Sequence, residues 1–237
     1  MDKELKHSFN CMICGKGLEY TQEYKELRCV YCNGKFDSNV TCKEGHYVCD
    51  SCHSIDGLDL IDQYCKETKR TNPIEIAIEL MKSSTINMHG PEHHYLVPAV
   101  LISSYYNIKD DKKTKLKKLA VAKKRAKDLP GGICGYYGNC GAAVGTGIFI
   151  SIITEATPLT KESWKLANLM TGTTLISIAK MGGPRCCKRN TFIAINEAVK
   201  FTDENLGVKM YDYENYIPRC SFKSKNKECI GLECNFF

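Results

Sequence analysis

Four pairs of possible metal ligands occur in the first part of the sequence. Three are Cys-x2-Cys pairs, and the other is a Cys/His pair that lies between the second and third Cys-x2-Cys pairs. In chain order the first pair is Cys11/Cys14, the second Cys29/Cys32, the third Cys42/His46 and the fourth Cys49/Cys52. A Cys-x2-Cys turn directs two thiolates at one ion, and two such pairs complete the tetrahedral shell of zinc. The spacing therefore predicts that these side chains bind zinc or a similar thiophilic metal.

How the pairs share two ions stays open on sequence alone. The first and second pairs have zinc-ribbon spacing, which leaves the third and fourth pairs as another complete set. The stretch 29–52, and CKEGHYVCDSC in particular, resembles the first six ligands of a RING-type finger, a class in which pairs interleave across two ions. A downstream Cys-x2-Cys is missing here, and the first pair lies upstream instead. We expect the spare His53 and Cys65 to be a surface histidine and a buried cysteine.

The composition favours a protein of a reducing compartment. The first ten residues are polar and lack the apolar segment of a secretion signal. The longest apolar stretch, 142–153, is too short and too rich in Gly, Thr and Ser to span a bilayer. We therefore expect a cytoplasmic protein without a membrane partner, in which the 15 cysteines are ligands or reactive thiols rather than disulfides. The net charge of +6 is mildly basic and indicates no particular partner or oligomeric state.

The cysteine distribution divides the chain into two parts. Eight cysteines precede residue 66, none lies between residues 66 and 133, and seven follow. The intervening KETKRTN is polar, and Pro73 can open a helix. We therefore predict that residues 1–66 form a small zinc-ribbon or treble-clef-like module and residues 73–237 a mainly α-helical domain. The module is too small to fold on an apolar core, so metal binding would supply its folding free energy.

Helical periodicity fills most of the second part. It predicts helices at 73–88, 95–106, 112–129, 142–156, 160–180 and 188–203, separated by Gly and Pro breaks. Short strands are expected in the first part, at 26–30 and 46–49. In the lysine-rich run Lys112–Lys127, an apolar stripe through Leu116, Leu119 and Ala126 lies opposite the lysines. This pattern is typical of an ordinary surface helix, so we expect no nucleic-acid binding there.

Histidines cluster ahead of the second predicted helix. The string His89-Gly-Pro-Glu92-His93 contains the H-x-x-E-H pattern of inverted zinc peptidases. That pattern needs both histidines on one continuous helical face, and Pro91 more plausibly starts a helix than continues one. We expect His93 and His94 to form a polar site in which either one moves a proton. Helix-capping and buried, hydrogen-bonded histidines are the alternative.

Further cysteines lie in two glycine-rich turns that precede helices. Cys134 and Cys140 belong to GGICGYYGNCGAAVGTG, and Cys186 and Cys187 belong to GGPRCCKRN. Amides at a helix start favour a thiolate and bind anions. We therefore expect Cys134, Cys140 and one of the adjacent cysteines to meet His93 in one pocket. Unrelated buried cysteines are the alternative.

Basic residues accompany the adjacent cysteines. Arg185 and Arg189 flank them and are suited to hold the carboxylate of a small anionic substrate in a bidentate manner. Further along, Cys220, Cys229 and Cys234 lie within 15 residues and are predicted to be metal ligands. Their spacing matches no ferredoxin run, so zinc and iron both remain candidates.

Two resemblances concern this second part. GGPRCCKRNTFIAINEAV resembles a segment of the iron–sulfur L-serine dehydratases, in which Gly-Gly precedes a cysteine and Arg-Asn at a helix start, and NCGAAVGTG resembles a glycine-rich turn of the same enzymes. HGPEHHYLVPAVL, GGICGYYGNCGAA and GGPRCCKRNT together resemble an uncharacterised cysteine-rich family of anaerobes, which occurs alone or fused to methyltransferases. The first resemblance implies an iron–sulfur cluster; the second implies no established activity.

Three functions compete at this point. An enzyme would hold a cluster on three of the cysteines Cys134, Cys140 and Cys186 or Cys187 together with a tail cysteine, leaving one iron open as a Lewis acid for dehydration or desulfuration. A non-enzymatic zinc module would bind protein or nucleic acid. A thiol redox protein or sulfur carrier would use Cys186 and Cys187. Metal content and colour after anaerobic purification separate these hypotheses.

Overall fold

The computed structural model describes residues 11, 13–14, 16–49, 52 and 56–237, and its first element is an antiparallel hairpin. Strand β1 spans Leu18–Arg28 and strand β2 spans Lys35–Cys42. The register places Leu18 opposite Cys42 and Arg28 opposite Lys35, with an irregularity between Tyr20 and Lys25. Side chains 21–26 are all exposed, so the middle of the hairpin contributes little apolar burial. Its two ends, where the cysteine pairs lie, must therefore hold it.

Eight α-helices follow in the described chain. They are α1 Gly57–Glu67, α2 Pro73–Lys82, α3 Glu92–Ile108, α4 Lys112–Lys127, α5 Ile133–Tyr136, α6 Gly141–Ile153, α7 Glu162–Met181 and α8 Cys187–Leu206. The C-terminal segment, residues 220–237, contains the short 3-10 turns Lys223–Lys225 and Gly231–Glu233. Asp56, Asn72 and Asp111 cap α1, α2 and α4 through their side chains, as short polar residues commonly do.

Helix α3 is the centre of the helical domain. Every side chain from Tyr95 to Tyr106 is buried, and the helix packs against α1, α2, α4, α6 and α8. Such burial on all sides accounts for its nearly continuous apolar sequence. Helix α6 approaches it closely at Gly145, where an added Cβ would lie 2.8 Å from the Pro98 Cδ atom. The prediction that 95–106 is buried and that 142–156 forms a core helix is confirmed.

Helix α1 connects the cysteine-rich part to the helical domain. The Tyr95 hydroxyl donates to Asp62 at 2.9 Å, and the Ser103 hydroxyl donates to the Cys65 carbonyl at 2.6 Å. On the other side, the buried ring of Tyr31 meets Tyr64 edge-on at 6.4 Å between centroids. The cysteine-rich part therefore rests on α1 and, through it, on α3. The boundary at residues 66–73 stays a prediction.

The fold class is as predicted, a cysteine-rich N-terminal part followed by a mainly helical domain, but several details differ. Helix α1 was not expected, and residues 46–49 form no strand among the described residues. In α4 the buried positions are Lys115, Leu119, Ala122 and Ala126, while Leu116 is exposed. Lys115 is buried because its ammonium donates to the Thr68 carbonyl and the Asn107 side chain. None of the described helices is both long and apolar enough to cross a bilayer.

Candidate metal centres and thiol pocket

The predicted donors of the N-terminal part form two compact groups of four. Site A comprises Cys11, Cys14, Cys42 and His46, and site B comprises Cys29, Cys32, Cys49 and Cys52. Within each site all donor atoms lie within 4.8 Å of one another. The Cys14 and Cys42 sulfurs are 3.4 Å apart in site A, and the Cys32 and Cys49 sulfurs are 3.8 Å apart in site B. Zinc–sulfur bonds of about 2.3 Å in a tetrahedron separate thiolates by about 3.8 Å, so each site matches the size of one ion.

Strand pairing explains why the two sites interleave. Because β1 and β2 are antiparallel, the start of β1 lies beside the end of β2, and Leu18 is opposite Cys42. The first pair, which precedes β1, therefore meets the third pair, which begins where β2 ends. The second pair follows β1, and there the Val30 amide donates to the Tyr47 carbonyl at 3.0 Å, which brings the fourth pair alongside. The structure thus has the interleaved arrangement of the RING-type finger and not the sequential one.

Backbone amides support the sulfurs of both sites. The Glu44 amide donates to the Cys42 sulfur at 3.3 Å in site A, and the Cys49 amide donates to the Cys29 sulfur at 3.4 Å in site B. Burial raises the pKa of the Cys42 thiol, but the Glu44 amide and the neighbouring donors of site A outweigh it and lower that pKa to about 7. Burial likewise raises the pKa of Cys29, and the amides around it produce a net lowering. One thiol in each site therefore favours thiolate, the form that binds metal. Burial raises the pKa of other thiols in the same sites, that of Cys11 to about 11 in site A and that of Cys32 in site B.

The two spare residues of the N-terminal part have different outcomes. Cys65 is fully buried in α1, and burial raises the pKa of its thiol to about 12. It is therefore a core thiol and not a metal ligand, as predicted. His53 lies outside the described residues.

The adjacent cysteines at the start of α8 belong to different groups of thiols. Burial raises the pKa of Cys187, and the nearby thiols of Cys140 and Cys134 raise it further. Cys186 instead lines an apolar pocket on the C-terminal segment. That pocket also contains the three predicted tail ligands, Cys220, Cys229 and Cys234. The thiols of the helical domain therefore form two groups, one with Cys134, Cys140 and Cys187 and one with Cys186 and the tail cysteines. The expected meeting of the first group with His93 stays a prediction.

An open pocket of about 920 Å³ lies beside the first of these groups. We call it the thiol pocket; its lining includes Cys134, Cys140, Arg185, Arg189 and Asn190. The Asn190 amide group donates to the Cys140 sulfur at 3.5 Å. Arg185 is exposed and makes no hydrogen bond or ion pair with any residue that the structure describes. Its guanidinium is thus free to bind an anion that enters the pocket.

Arg189 has a different role from Arg185. Only 4% of its surface is exposed, and its guanidinium donates to the carbonyls of Gly182 at 2.7 Å and Pro184 at 2.9 Å. These bonds fix the turn that leads into α8. Its predicted substrate contact stays a prediction, and the bonds in place favour a positioning role.

The two histidines proposed to move a proton are both anchored. The His93 ring lies 2.9 Å from the Thr191 hydroxyl through Nδ1 and 3.1 Å from the Asn87 carbonyl through Nε2. Burial lowers the pKa of His93 to about 3, so this ring is neutral at ordinary pH. Burial also lowers the pKa of His94, whose Nδ1 lies 3.4 Å from the Leu129 carbonyl. The alternative of buried, hydrogen-bonded histidines describes His93 well.

The inverted-peptidase pattern is not assembled. His89 precedes α3 and its Nε2 atom lies 3.2 Å from the Asn226 side chain of the C-terminal segment, whereas His93 bonds within the helical core. Among the described residues, the groups of metal-ligating side chains within 4.8 Å of one another are sites A and B. These histidines therefore connect elements of the fold.

Sequence reasoning missed two residues of the α8 start. Asn190 contacts Cys140, and Lys188 is buried with its ammonium donating to the carbonyls of Met81 and Ile86. Burial lowers the pKa of Lys188 to about 8. Both belong to the string RCCKRN. Lys188 was expected only as one of the basic residues that flank the cysteines, and Asn190 was given no role. A single sequence does not show that a lysine is buried or that an asparagine contacts a particular thiol, because both depend on how α8 packs.

Two interleaved donor sets and a helical domain rich in grouped thiols define a cysteine-rich protein with candidate metal-binding sites. A comparison with family models matches residues 61–237 to a family of unknown function, DUF5714, and the chain belongs to that family. Both thiol groups of the helical domain lie within the matched residues, whereas sites A and B precede them. Comparisons with curated proteins and with solved structures find no match.

Proposed function

We propose that this protein binds two zinc ions, one in site A and one in site B, and that these ions fold the N-terminal module. The observation that carries the proposal is the close grouping of four donors in each site. Three thiols with one imidazole, or four thiols, are the donor sets of structural zinc, and a full shell of protein ligands leaves no open position. The exposed hairpin offers little apolar burial, so metal binding would supply most of the folding free energy of the module.

Paired substitutions test both the metal and the interleaving. Cys14 and Cys42 belong to one site, so changing both to Ser should leave one zinc per chain. Cys14 and Cys32 belong to different sites, so changing both to Ser should remove both ions. Native mass spectrometry of the full chain counts the ions in each case. A sequential arrangement would give the opposite pair of results, and a wild-type chain that holds fewer than two zinc ions would contradict the proposal.

A second candidate function is a metal-assisted lyase or desulfurase in the helical domain. The observation that favours it is the thiol pocket, which Cys134, Cys140 and the exposed Arg185 line, with the Cys187 thiol close enough to interact electrostatically with all three. Among the described residues these three thiols do not all lie within 4.8 Å of one another, so a metal bound by all of them would have to draw them closer. Three thiolates would then leave a fourth position of the metal free to act as a Lewis acid on a substrate hydroxyl or thiol. The resemblance of GGPRCCKRNT to iron–sulfur L-serine dehydratases supports this kind of chemistry. A small carboxylate is the substrate class that Arg185 would hold.

Turnover of small hydroxy- and thiol-carboxylates by the metal-loaded full chain tests this candidate. Arg185→Gln should raise KM much more than it lowers kcat, because the guanidinium binds the carboxylate and is not a reacting group. Cys187→Ala should abolish turnover. Unchanged kinetics in Arg185→Gln, or no elimination from any of these compounds, would leave the thiol redox or sulfur-carrier role as the better account of the pocket.

A further inference from the structure

Four cysteines from distant parts of the chain meet at a site other than sites A and B and the thiol pocket. Cys186 is the residue that immediately precedes α8, and the C-terminal segment contributes Cys220, Cys229 and Cys234. They line one pocket whose other walls are mostly apolar, among them Phe192, Phe222 and Phe236. Cys186 does not line the open thiol pocket, whereas Arg189 lines both pockets. We call these four residues the tail cysteine group.

The C-terminal segment is held in place around this group. The Cys220 amide donates to the Phe236 carbonyl at 2.7 Å, which closes the segment on itself. The Phe236 ring packs on Phe192 of α8 at 5.3 Å between centroids. Asn226 bonds to His89 ahead of α3. The four thiols are therefore arranged by contacts with the helical core as well as by one another.

The thiols are close enough to affect one another electrostatically. Burial raises the pKa of Cys220, and the thiols of Cys186, Cys234 and Cys229 raise it further. Two of the sulfurs accept hydrogen bonds from backbone amides. The Arg189 amide donates to the Cys186 sulfur at 3.5 Å, and the Phe222 amide donates to the Cys220 sulfur at 3.4 Å. Amide donors of this kind stabilise thiolate and tune iron–sulfur clusters. A bound cation would reverse the mutual destabilisation of thiolates in this apolar setting.

The tail cysteines are too far apart to hold a single zinc ion as they stand. Sites A and B are the described groups whose donors all lie within 4.8 Å of one another, so no three tail cysteines meet that limit. A single zinc ion requires thiolates about 3.8 Å apart. In a four-iron cluster each thiolate binds a different iron, so the sulfurs stand farther apart.

We propose that Cys186, Cys220, Cys229 and Cys234 bind a four-iron iron–sulfur cluster that fastens the C-terminal segment to the start of α8. Four thiolates would ligate all four irons, so this cluster has no open iron and is not the Lewis acid of the lyase hypothesis. The inference does not depend on zinc in sites A and B.

The test is anaerobic reconstitution of the full chain with ferrous iron and sulfide. Iron and acid-labile sulfide per chain, visible absorption and electron paramagnetic resonance after reduction report the cluster. Alanine at any one of the four tail cysteines should remove most of the iron and sulfide. Cys65→Ala is the control, because it removes a buried thiol that lies outside sites A and B, the thiol pocket and the tail cysteine group, and it should keep the wild-type content.

The outcomes separate this inference from the zinc proposal. Native mass spectrometry should count the same two zinc ions in all these variants, whatever happens to the iron. Iron lost equally in Cys65→Ala and Cys186→Ala would overturn the ligand assignment. A folded wild-type chain that takes up no labile sulfide, or that binds a third zinc ion or forms disulfides among the tail cysteines, would overturn the cluster itself without reference to any variant.

Discussion

At the scale of single residues, burial decides the protonation of the histidines near the thiol pocket. His93 is enclosed by α3 and α8, and burial is the largest influence on its pKa. Lys188, His94 and His89 nearby also disfavour its charged form, whereas the Asn87 carbonyl favours it. The net result is a pKa of about 3 in the folded chain against an ordinary value of 6.5.

This difference predicts a pH-dependent loss of stability. The unfolded chain takes up a proton at His93 as the pH falls below 6.5, whereas the folded chain does so only near pH 3. The free energy of unfolding should therefore fall with pH in this window, by up to about 1.4 kcal/mol per pH unit. His93→Gln removes this contribution. Denaturant unfolding at several pH values should show a shallower loss for the variant, by about 2 kcal/mol at pH ~5.

Both proteins share the other titrating groups, so the difference between them isolates His93. Equal slopes for the two proteins would mean that His93 is protonated in the folded chain. The absolute stability of His93→Gln is not the readout, because the lost bond to Thr191 lowers it at every pH.

At the scale of elements, the approach of α6 to α3 depends on a missing side chain. A Cβ at Gly145 would lie 2.8 Å from the Pro98 Cδ atom and 3.2 Å from the His94 carbonyl. Neither the proline ring nor the backbone can rotate away. Gly145→Ala should therefore destabilise the chain by about 1–3 kcal/mol through overpacking, measured as a lower midpoint of denaturant unfolding.

Gly172 provides the matched control within another helix. It lies inside α7, and an added Cβ would meet no atom within 4 Å. Gly172→Ala should stabilise the chain by about 1 kcal/mol, because alanine has the higher helix propensity. Opposite signs for the two substitutions support the close approach of α6 to α3. A neutral Gly145→Ala would contradict it.

The elements also show what the sequence could predict. Apolar periodicity located most of the longer helices to within several residues, because their buried stripes repeat with the helical period. In α4 the stripe was correct at Leu119 and Ala126 and wrong at Leu116, which is exposed. Lys115 is buried instead, by hydrogen bonds that no periodicity reveals. Local spacing likewise identified the donors of sites A and B. Their sharing depended on strand pairing between β1 and β2, which is a non-local interaction.

The same reasoning applies to Cys186 and Cys187. They are adjacent in the sequence and share the same basic surroundings, so sequence reasoning treated them as interchangeable. At the start of α8 the two side chains join different groups of thiols. Cys187 lies near Cys134, 53 positions earlier in the chain, whereas Cys186 shares a pocket with Cys234, 48 positions later. Only the packing of α8 against the rest of the chain separates the two thiols.

At the scale of the whole molecule, the metal sites and the helical core are two sources of stability. The core around α3 is formed by apolar side chains, whereas the hairpin depends on sites A and B. Zinc chelation should therefore unfold the hairpin and leave the helical circular dichroism largely intact. The single tryptophan, Trp164, lies in α7, so its fluorescence should not change. Loss of most helical signal on chelation would show that the core also requires the metal.

The basic helix α4 allows a second test at this scale. Its lysines already contact carboxylates, with Lys123 2.5 Å from Asp59 and Lys118 3.0 Å from Glu155. These partners reduce the positive field that a nucleic acid would meet. We expect RNA and DNA to bind weakly and without steep salt dependence. Tight binding that is abolished by alanine at four lysines of α4 would contradict this expectation; the four are Lys117, Lys118, Lys123 and Lys124.

The interleaving of sites A and B has a consequence for the order of events during synthesis. Site A has all its donors only once His46 has been made, and site B only once Cys52 has been made. Before then, a growing chain presents the first and second pairs together, a set with the spacing of a zinc ribbon. Zinc captured at that stage would join the wrong pairs. For the β1–β2 hairpin to form, that ion would then have to move from one pair of thiolates to another. Zinc that binds before His46 and Cys52 have been made would therefore slow correct folding.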